Sequence, residues 1–405
     1  MNIAVIGAGA AGYFAAISVK QHHPKAEVLL FEKSQQTLSK VRISGGGRCN
    51  ATHACFSIGE LSKAYPRGGK KLKKLFPRFN VTDTIHWFES RGVSLKAEED
   101  GRMFPVSNSS ESIIQCLQSE LEKKKIKLKN KTHISGITKV NEKIQISFQD
   151  KDAVSMLVDK VIVTTGGSPS RKGLIWLEEL GHRIVQPIPS LFTFNMPKNP
   201  IIQLMGLVAE NALVSIQGTK LKSEGPLLIT HWGMSGPAIL KLSSFGARIL
   251  SDLNYQFKIQ VNWVNENNNE RILEYLQNII EKYPKRKLIN QRPYLLPERL
   301  WIFLLSKMEL SADKIWSDLG SKWLNKMVNI LSNDIYEVNG KTTFKEEFVT
   351  CGGISLEDVD FNSMQSKVVK GLYFAGEILD IDAITGGYNF QAAWTTAYVA
   401  GMLKD

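Results

Sequence analysis

The hydrophobic pattern opens on a short apolar run, Asn2-Ile3-Ala4-Val5-Ile6, with the length and continuity of a strand buried in a parallel sheet. Gly7-Ala8-Gly9-Ala10-Ala11-Gly12 follows at once and leads into an Ala-rich segment, about Ala10 to Gln21, that predicts a helix. A second apolar run, Val28-Leu29-Leu30-Phe31, ends on Glu32, twenty positions beyond Gly12. Two later runs, Lys160 to Gly167 and Gly371 to Glu377, have the same buried character and end in glycines or Gly-Glu. Gly386-Gly387 then opens a final helix to about Met402. The end of the chain therefore returns to the sheet that its beginning started.

The intervening residues change texture. Leu72 to Phe88 predicts one or two helices broken near Pro77, and Ser110 to about Lys124 a helix capped by serines. Lys127-Leu128, Ile134 to Val140, Ile144 to Phe148 and Met156 to Val158 alternate as strands of an antiparallel meander would. From Pro187 onward short strands dominate: Leu191 to Phe194, Leu207 to Ile216, Leu227 to Thr230 and Gln256 to Val264, with a helix from about Ala238 to Leu250. Asn265 to Asn269 reads as a boundary. Helices follow over Glu270 to Lys282, Pro297 to Lys307 and Lys322 to Leu331. Ile335 to Val338 and Glu347 to Cys351 then read as strands returning through the insert.

The first unit carries specific chemistry. Strand, G-x-G-x-x-G turn, helix, strand and terminal acid together form a dinucleotide-binding arrangement. Gly7 makes the tight turn, Gly9 admits the backbone to a pyrophosphate, and Gly12 lets helix and strand approach. The helix N-terminus offers unpaired N–H groups and partial positive charge to the anion. Glu32 can accept hydrogen bonds from ribose hydroxyls and would repel a 2′-phosphate.

Length and composition add bounds. A chain of 405 residues can hold two or three domains. Hydrophobic content of 43% and a mean hydropathy of -0.14 indicate a soluble protein, and no apolar run approaches the ~18 residues of a membrane span. The N-terminal apolar stretch is spent on the nucleotide-binding strand, so it is no signal peptide. Cys49, Cys55, Cys116 and Cys351 show neither metal spacing nor a disulfide framework, which points to the cytoplasm and to no metal site. Cys55, Cys116 and Cys351 read as buried thiols.

A net charge of +12 is the compositional oddity. It is concentrated at Lys63, Arg67, Lys70, Lys71, Lys73, Lys74 and Arg78, over Lys123 to Lys131, and over Lys282 to Arg292. These clusters read either as solvated surface or as the footprint of a polyanion such as nucleic acid.

After Glu32, Ile43-Ser44-Gly45-Gly46-Gly47-Arg48-Cys49-Asn50 cannot form a regular element, because three adjacent glycines suit a backbone laid against a ligand. Taken with Gly7 to Gly12, Gly101-Arg102-Met103-Phe104-Pro105, Thr230 to Ala238 and Gly387-Tyr388-Asn389-Phe390-Gln391, in this order, the chain resembles the bacterial flavoprotein family labelled NAD(P)/FAD-dependent oxidoreductase. That family includes the dihydrouridine synthase of large-subunit ribosomal RNA, a reductase of bile-acid intermediates and members called aminoacetone oxidase. The resemblance runs over essentially the whole chain. It departs at Ser168 to Leu174, which is shorter than the family's Gly-rich loop.

The resemblance implies an α/β protein: a split Rossmann-like FAD-binding domain with an inserted β-barrel-like domain and a small helical domain. The expected divisions are 1–188, 189–264, 265–333, 334–350 and 351–405. By the same resemblance, Gly7, Gly9, Ala10, Ala11, Gly12, Glu32 and Lys33 hold the ADP half of FAD. Lys40, Arg42, Ser44, Gly45, Gly46, Gly47, Arg48, Cys49, Asn50, Gly166, Gly167, Gly376, Glu377, Gly386, Gly387, Tyr388, Asn389, Phe390 and Gln391 line the rest. The final helix would aim its N-terminus at the flavin pyrimidine.

A flavin passes a hydride, so the expected reaction reduces a polarised C=C or C=O, or oxidises an amine or alcohol. NAD(P)H is the expected transient reductant. With uracil in RNA as substrate, an acid must protonate C5. Cys49 is a candidate, a thiol near flavin that Arg48 could acidify; its other reading is packing against the ring or support of the loop. His231 is the other candidate, and reads equally as a structural histidine. Ribosomal RNA would engage the basic clusters through its phosphates. A small-molecule enoyl or ketosteroid-type reductase, an amine oxidase and a non-enzymatic FAD-bearing RNA-binding protein are the alternatives.

Overall fold

The computed structural model describes residues 1–150, 153–343 and 349–404. The chain divides into two compact units, Met1–Ser190 with Phe344–Asp405, and Leu191–Thr343.

The first unit is built on five parallel strands: β1 (Asn2–Ile6), β2 (Glu27–Phe31), β3 (Lys127–Lys129), β4 (Lys160–Val163) and β5 (Leu372–Phe374). Their order is β5-β4-β1-β2-β3, and two short antiparallel strands, Gln365–Ser366 and Val359–Asp360, extend the sheet beyond β5. Ala4 lies between Leu29 and Val161, so the strand nearest the N-terminus is central. Ile3 to Val5, Val161 to Val163 and Leu372 to Phe374 are wholly buried, which is why these runs do not alternate.

Two helices pair across the glycine end of the sheet, α1 (Ala10–His22) and α2 (Tyr388–Gly401). Small residues allow this: Ala11, Gly12, Ala15 and Ala16 on α1, Ala392, Ala393, Ala397 and Ala400 on α2, all buried. The Ser18 hydroxyl donates to the Tyr398 carbonyl at 2.8 Å and ties the first helix of the chain to the last.

Two expectations need correction here. Lys127–Lys129 is not the first strand of the meander. The helix Ser110–Lys123 delivers it as a crossover, so it enters the sheet parallel beside Leu29 to Phe31. The antiparallel meander is therefore Ile134–Val140, Lys143–Phe148 and Met156–Val158. Thr350–Ile354 does not return through the insert either, because it pairs antiparallel with Ile184–Pro189 in the first unit. Glu347 and Phe348 lie outside the described residues.

The second unit holds a seven-stranded antiparallel sheet. Its order is Asp334–Asn339, Gln256–Asn262, Val208–Ile216, Lys222–Thr230, Gly233–Ser235, Thr193–Asn195 and Lys341–Thr342. The first and last strands of that order follow one another through Gly340, so the sheet curls back on itself. The helices Asn269–Lys282, Glu298–Lys307 and Ser321–Ser332 share one core with it, through Leu276, Trp301 and Met327 packed with Ile259 and Trp263. Residues 265–333 are thus part of the barrel's own unit. Among the described residues no helix is long and apolar enough to cross a membrane.

Candidate cofactor site

The glycines of the first turn divide into two kinds. Gly7 has φ +105°, and a Cβ there would stand 2.6 Å from the Thr164 carbonyl oxygen. A Cβ on Gly12 would be driven into the Gly7 carbonyl oxygen. Packing of the chain alone therefore demands both. Gly9 is different: φ is -86°, and nothing lies within 4 Å of the place a Cβ would occupy. It is the N-cap of α1 and no side chain caps that helix end. Its bare backbone leaves room beside unpaired N–H groups, the fit a pyrophosphate requires.

Glu32 closes this end. One carboxylate oxygen accepts the Ala8 N–H at 2.9 Å, and the other accepts the Ser34 N–H and hydroxyl at 2.9 and 2.8 Å. Ala10 is half-buried and Ala11 buried on α1, whereas Lys33 is exposed.

The second wall is Ser39 to Asn50. Leu38 donates its N–H to the Ala8 carbonyl, which fastens the segment to the glycine turn. Helical geometry breaks at Ser44, and Gly45 and Gly46 turn left-handed. A Cβ on Gly45 would meet Phe104 at 2.8 Å, but Gly46 and Gly47 border open space. Arg42 pairs with Glu111. Arg48 pairs with Glu98 at 2.6 Å and lies 3.9 Å over the Phe104 ring. Asn50 is buried and accepts the Met103 N–H.

Cys49 is not the acidified thiol expected from its neighbours. It is 0% exposed, in a left-handed conformation with φ 59°. Burial pushes its thiol up to about 12, only partly opposed by a hydrogen bond from Ser44. The guanidinium of Arg48 is committed to Glu98 and Phe104 instead.

The third wall comes from the ends of β4 and β5. Gly166 is left-handed and open, whereas a Cβ on Gly167 would overlap the Thr350 hydroxyl and stand 2.9 Å from the Glu377 carboxylate. Glu377 accepts from Lys40 at 2.7 Å and from the Thr350 N–H at 3.1 Å, so it joins the second wall to the third. The Thr350 hydroxyl is buried without a hydrogen-bond partner among the described residues. Gly376 donates its N–H to Thr396 of α2, and a Cβ there would press on Ala11.

The N-terminus of α2 is the fourth wall. Gly386 offers its carbonyl to His53 Nδ1 at 2.9 Å. Gly387 has φ +90°, and a Cβ would overlap the Thr52 carbonyl oxygen and lie 2.7 Å from Asn50 Oδ1. No side chain caps α2. Tyr388 stacks on His53 at 4.4 Å, and Phe390 stacks on Trp394 at 5.7 Å. Two expected cofactor residues have their side chains bonded within the fold. Asn389 clamps both backbone groups of Ala383, at 3.0 and 3.2 Å. Gln391 is wholly buried, accepting the hydroxyls of Thr52 and Thr84 and donating to Thr395.

His231 belongs to the second unit, in the exposed turn before Gly233–Ser235, with its ring 3.8 Å from that of Trp232. Cys55 is another correction, since it is partly exposed rather than buried. Sequence reasoning missed His53, Thr164 and Thr350, and gave Arg67 only a surface role. Arg67 is in fact paired with the buried Asp382. None of these sits in a recognisable spacing, since their partners are far away in the chain.

The four walls bring the backbone-contacting glycines of four separate segments into one unit. The chain is 26% identical to the ribosomal RNA dihydrouridine synthase of Haemophilus influenzae, over 98% of this chain and 97% of that one. It is 24% identical to the 3-dehydro-bile acid delta(4,6)-reductase of Clostridium scindens, over 99% and 98%. Among solved structures, the 3-ketosteroid-delta4-(5alpha)-dehydrogenase of Rhodococcus jostii RHA1 shares the fold with a TM-score of 0.53 at 12% identity, covering 100% of this chain and 96% of that one. With residues 1–403 matching its model, the chain belongs to the family described as the HI0933-like protein Rossmann domain.

Proposed function

We propose that the protein is a FAD-dependent reductase that saturates a polarised C=C, with uracil in ribosomal RNA as substrate and NAD(P)H as the source of electrons. The observation that carries the FAD reading is Gly9, whose missing side chain serves no packing purpose in the chain yet keeps an uncapped helix end clear. When bound, FAD supplies hydride transfer. The chain supplies placement. The α1 N-terminus and Gly9 receive the pyrophosphate, and Glu32 receives the ribose. Gly46, Gly47 and Gly166 leave the backbone open to the flat and extended parts. The positive end of α2 favours the charge of a reduced flavin.

RNA as substrate is supported by the name of the Haemophilus relative and by the basic surface. Part of that surface is internally paired, Lys63 with Glu60 and Lys71 with Glu357. Lys70, Lys73 and Lys74, exposed on the helix Gly69–Leu75, have no acidic partner among the described residues. Unpaired cations of this kind suit phosphates. The Clostridium relative favours a second reading, an unsaturated steroid-like ketone as acceptor.

The test is anaerobic reduction of the purified holoprotein with NADPH, then addition of large-subunit ribosomal RNA lacking dihydrouridine. Flavin reoxidation matched by a new dihydrouridine is the expected result. Reoxidation only by an unsaturated ketone would replace RNA with the second reading, and no reduction by NADPH or NADH would overturn the nicotinamide donor.

A further inference from the structure

Between the helices Asn269–Lys282 and Glu298–Lys307 the second unit carries a turn that its sequence does not suit. Leu296 donates its N–H to the Pro293 carbonyl at 3.1 Å, and the two central residues, Tyr294 and Leu295, stand at φ 52° and 53°. Turns with two left-handed residues take Gly, Asn or Asp there, because a larger side chain strains that backbone. Here a phenol and a branched aliphatic chain occupy both places. The strain is held from several sides. Pro293 and Leu296 are buried at the flanks, the Tyr294 N–H donates to the Tyr275 hydroxyl at 3.2 Å, and the two rings stack at 4.1 Å and 26°. What the turn displays is Leu295, 91% exposed. A leucine so exposed gains nothing from burial, and an asparagine would strain the backbone less, so its side chain has the marks of a contact.

Tyr275 also sets the surroundings of that contact. On the helix Asn269–Lys282 it shares a row with Arg271, Asn278 and Lys282, all exposed, whereas Glu270, Glu274 and Glu281 fall on a row about 100° around the axis. Lys282 lies about 10 Å along the helix from Tyr275. From there, residues 282–292 hold five cations and no acid. Arg271, Lys287 and Arg292 are met by Glu266, Asp313 and Glu298. Lys282, Lys285 and Arg286 are exposed and have no carboxylate partner among the described residues. The Arg286 guanidinium lies 5.7 Å from the exposed Tyr283 ring. An apolar protein surface would answer Leu295 and leave these cations unanswered. A single strand of RNA answers both, because its unpaired bases offer flat faces beside phosphates.

We propose that this turn and the row beside it form a docking surface for single-stranded RNA. Leu295 and the Tyr275–Tyr294 stack take unpaired bases, and Lys282, Lys285 and Arg286 take the neighbouring phosphates. The choice of RNA rests on the substrate reading above. The surface differs in kind from the lysines of the helix Gly69–Leu75, because it engages bases as well as phosphates.

The test measures binding of large-subunit ribosomal RNA lacking dihydrouridine to the full-length holoprotein by filter retention, beside urea denaturation. Leu295→Asn suits the turn better and keeps every charge. We expect it to raise the urea midpoint while weakening RNA binding about fivefold or more, the lower end of what one base contact contributes. Lys282→Gln, Lys285→Gln and Arg286→Gln combined should reduce the slope of log K against log salt by about 0.7 per lost contact, the single-strand value. Unchanged affinity in Leu295→Asn, or weaker binding that comes with a lower urea midpoint, would overturn the docking surface. So would a loss of self-association in Leu295→Asn with RNA binding intact, which would make a second copy of this chain the occupant. RNA binding that depends on Leu295 but yields no new dihydrouridine would uphold the surface and overturn the proposed reaction instead.

Discussion

Asp382, wholly buried, receives two guanidinium N–H groups from Arg67, and the Ser190 hydroxyl completes its shell. The pair pins the loop that leads into Gly386 and α2, two residues of which Asn389 and His53 hold independently. Removing one partner of a buried ion pair strands the other. Arg67→Met is therefore expected to cost about 3–5 kcal/mol in urea denaturation. Arg67→Lys should recover little of it, because an ammonium cannot donate as a planar fork. A loss below 1 kcal/mol, well under that ~3 kcal/mol floor, would mean that the pair is not structural.

The two kinds of glycine give a clean separation. Gly12→Ala places a methyl inside the Gly7 carbonyl and should unfold or severely destabilise the first unit. Gly9→Ala meets no protein atom, so its melting without cofactor should match the wild type within about 1 kcal/mol, the scale of the N-cap preference of glycine over alanine. Its FAD content, read from flavin released on heating, should fall sharply. Full FAD retention in Gly9→Ala would contradict the placement of the pyrophosphate.

Gln391 offers a test of its expected place at the cofactor. Gln391→Leu keeps the volume but strands the Thr52 hydroxyl in the core, whereas the Thr84 hydroxyl keeps the Asn80 carbonyl as acceptor. The expected cost is about 1–3 kcal/mol for the stranded hydroxyl, with the flavin spectrum of the surviving folded protein unchanged. A spectral shift without loss of stability would restore Gln391 to the cofactor.

Acid should weaken the first unit through its buried imidazoles. His182 is buried, with Nδ1 bonded to the Leu177 carbonyl and Nε2 to the Ser366 hydroxyl, and burial lowers its pKa, as it does that of His53. Between each lowered value and about 6.5, the unfolded chain binds more protons than the folded one. Stability is thus complete above about pH 6.5 and is lost as pH falls through the folded values. His182→Gln should flatten part of that dependence in urea titrations from about pH 7 to about pH 5. A slope identical to the wild type would exclude His182 as a contributor.

Salt dependence distinguishes the lysines. If RNA is the substrate, Lys70→Gln, Lys73→Gln and Lys74→Gln combined should lower RNA affinity and reduce the slope of log K against log salt by about 0.7–0.9 per lost phosphate contact. Lys63→Gln and Lys71→Gln remove cations already paired with Glu60 and Glu357 and should leave the slope nearly unchanged. Equal effects from both sets would mean a diffuse field and no defined track.

The nucleotide-binding half was legible because its signals are local. Val5, Gly7, Gly9, Gly12 and Glu32 lie in one strand–turn–helix–strand unit whose spacing the backbone dictates. The buried strands Lys160–Val163 and Leu372–Phe374 were visible for the same reason. What stayed hidden depends on pairings across hundreds of positions. Arg67 looked like one more surface cation until Asp382 arrived from the far end of the chain. Cys49 looked activated because Arg48 is its neighbour in sequence, yet a left-handed backbone turns the two side chains to different surroundings. Lys127–Lys129 was assigned to the wrong sheet because three residues carry too little pattern to reveal which strand they join.

The strands Ile184–Pro189 and Thr350–Ile354 run antiparallel, with Pro189 opposite Thr350, and Ser190 donates its N–H to the Val349 carbonyl. The chain leaves the first unit and re-enters it at adjoining points. These two strands are the arms of a hairpin whose tip has been opened to admit everything from Leu191 to Thr343. A tight reverse turn could close the same tip. The insert therefore enters and leaves at one place, and exchanging it there would disturb no strand of the parallel sheet.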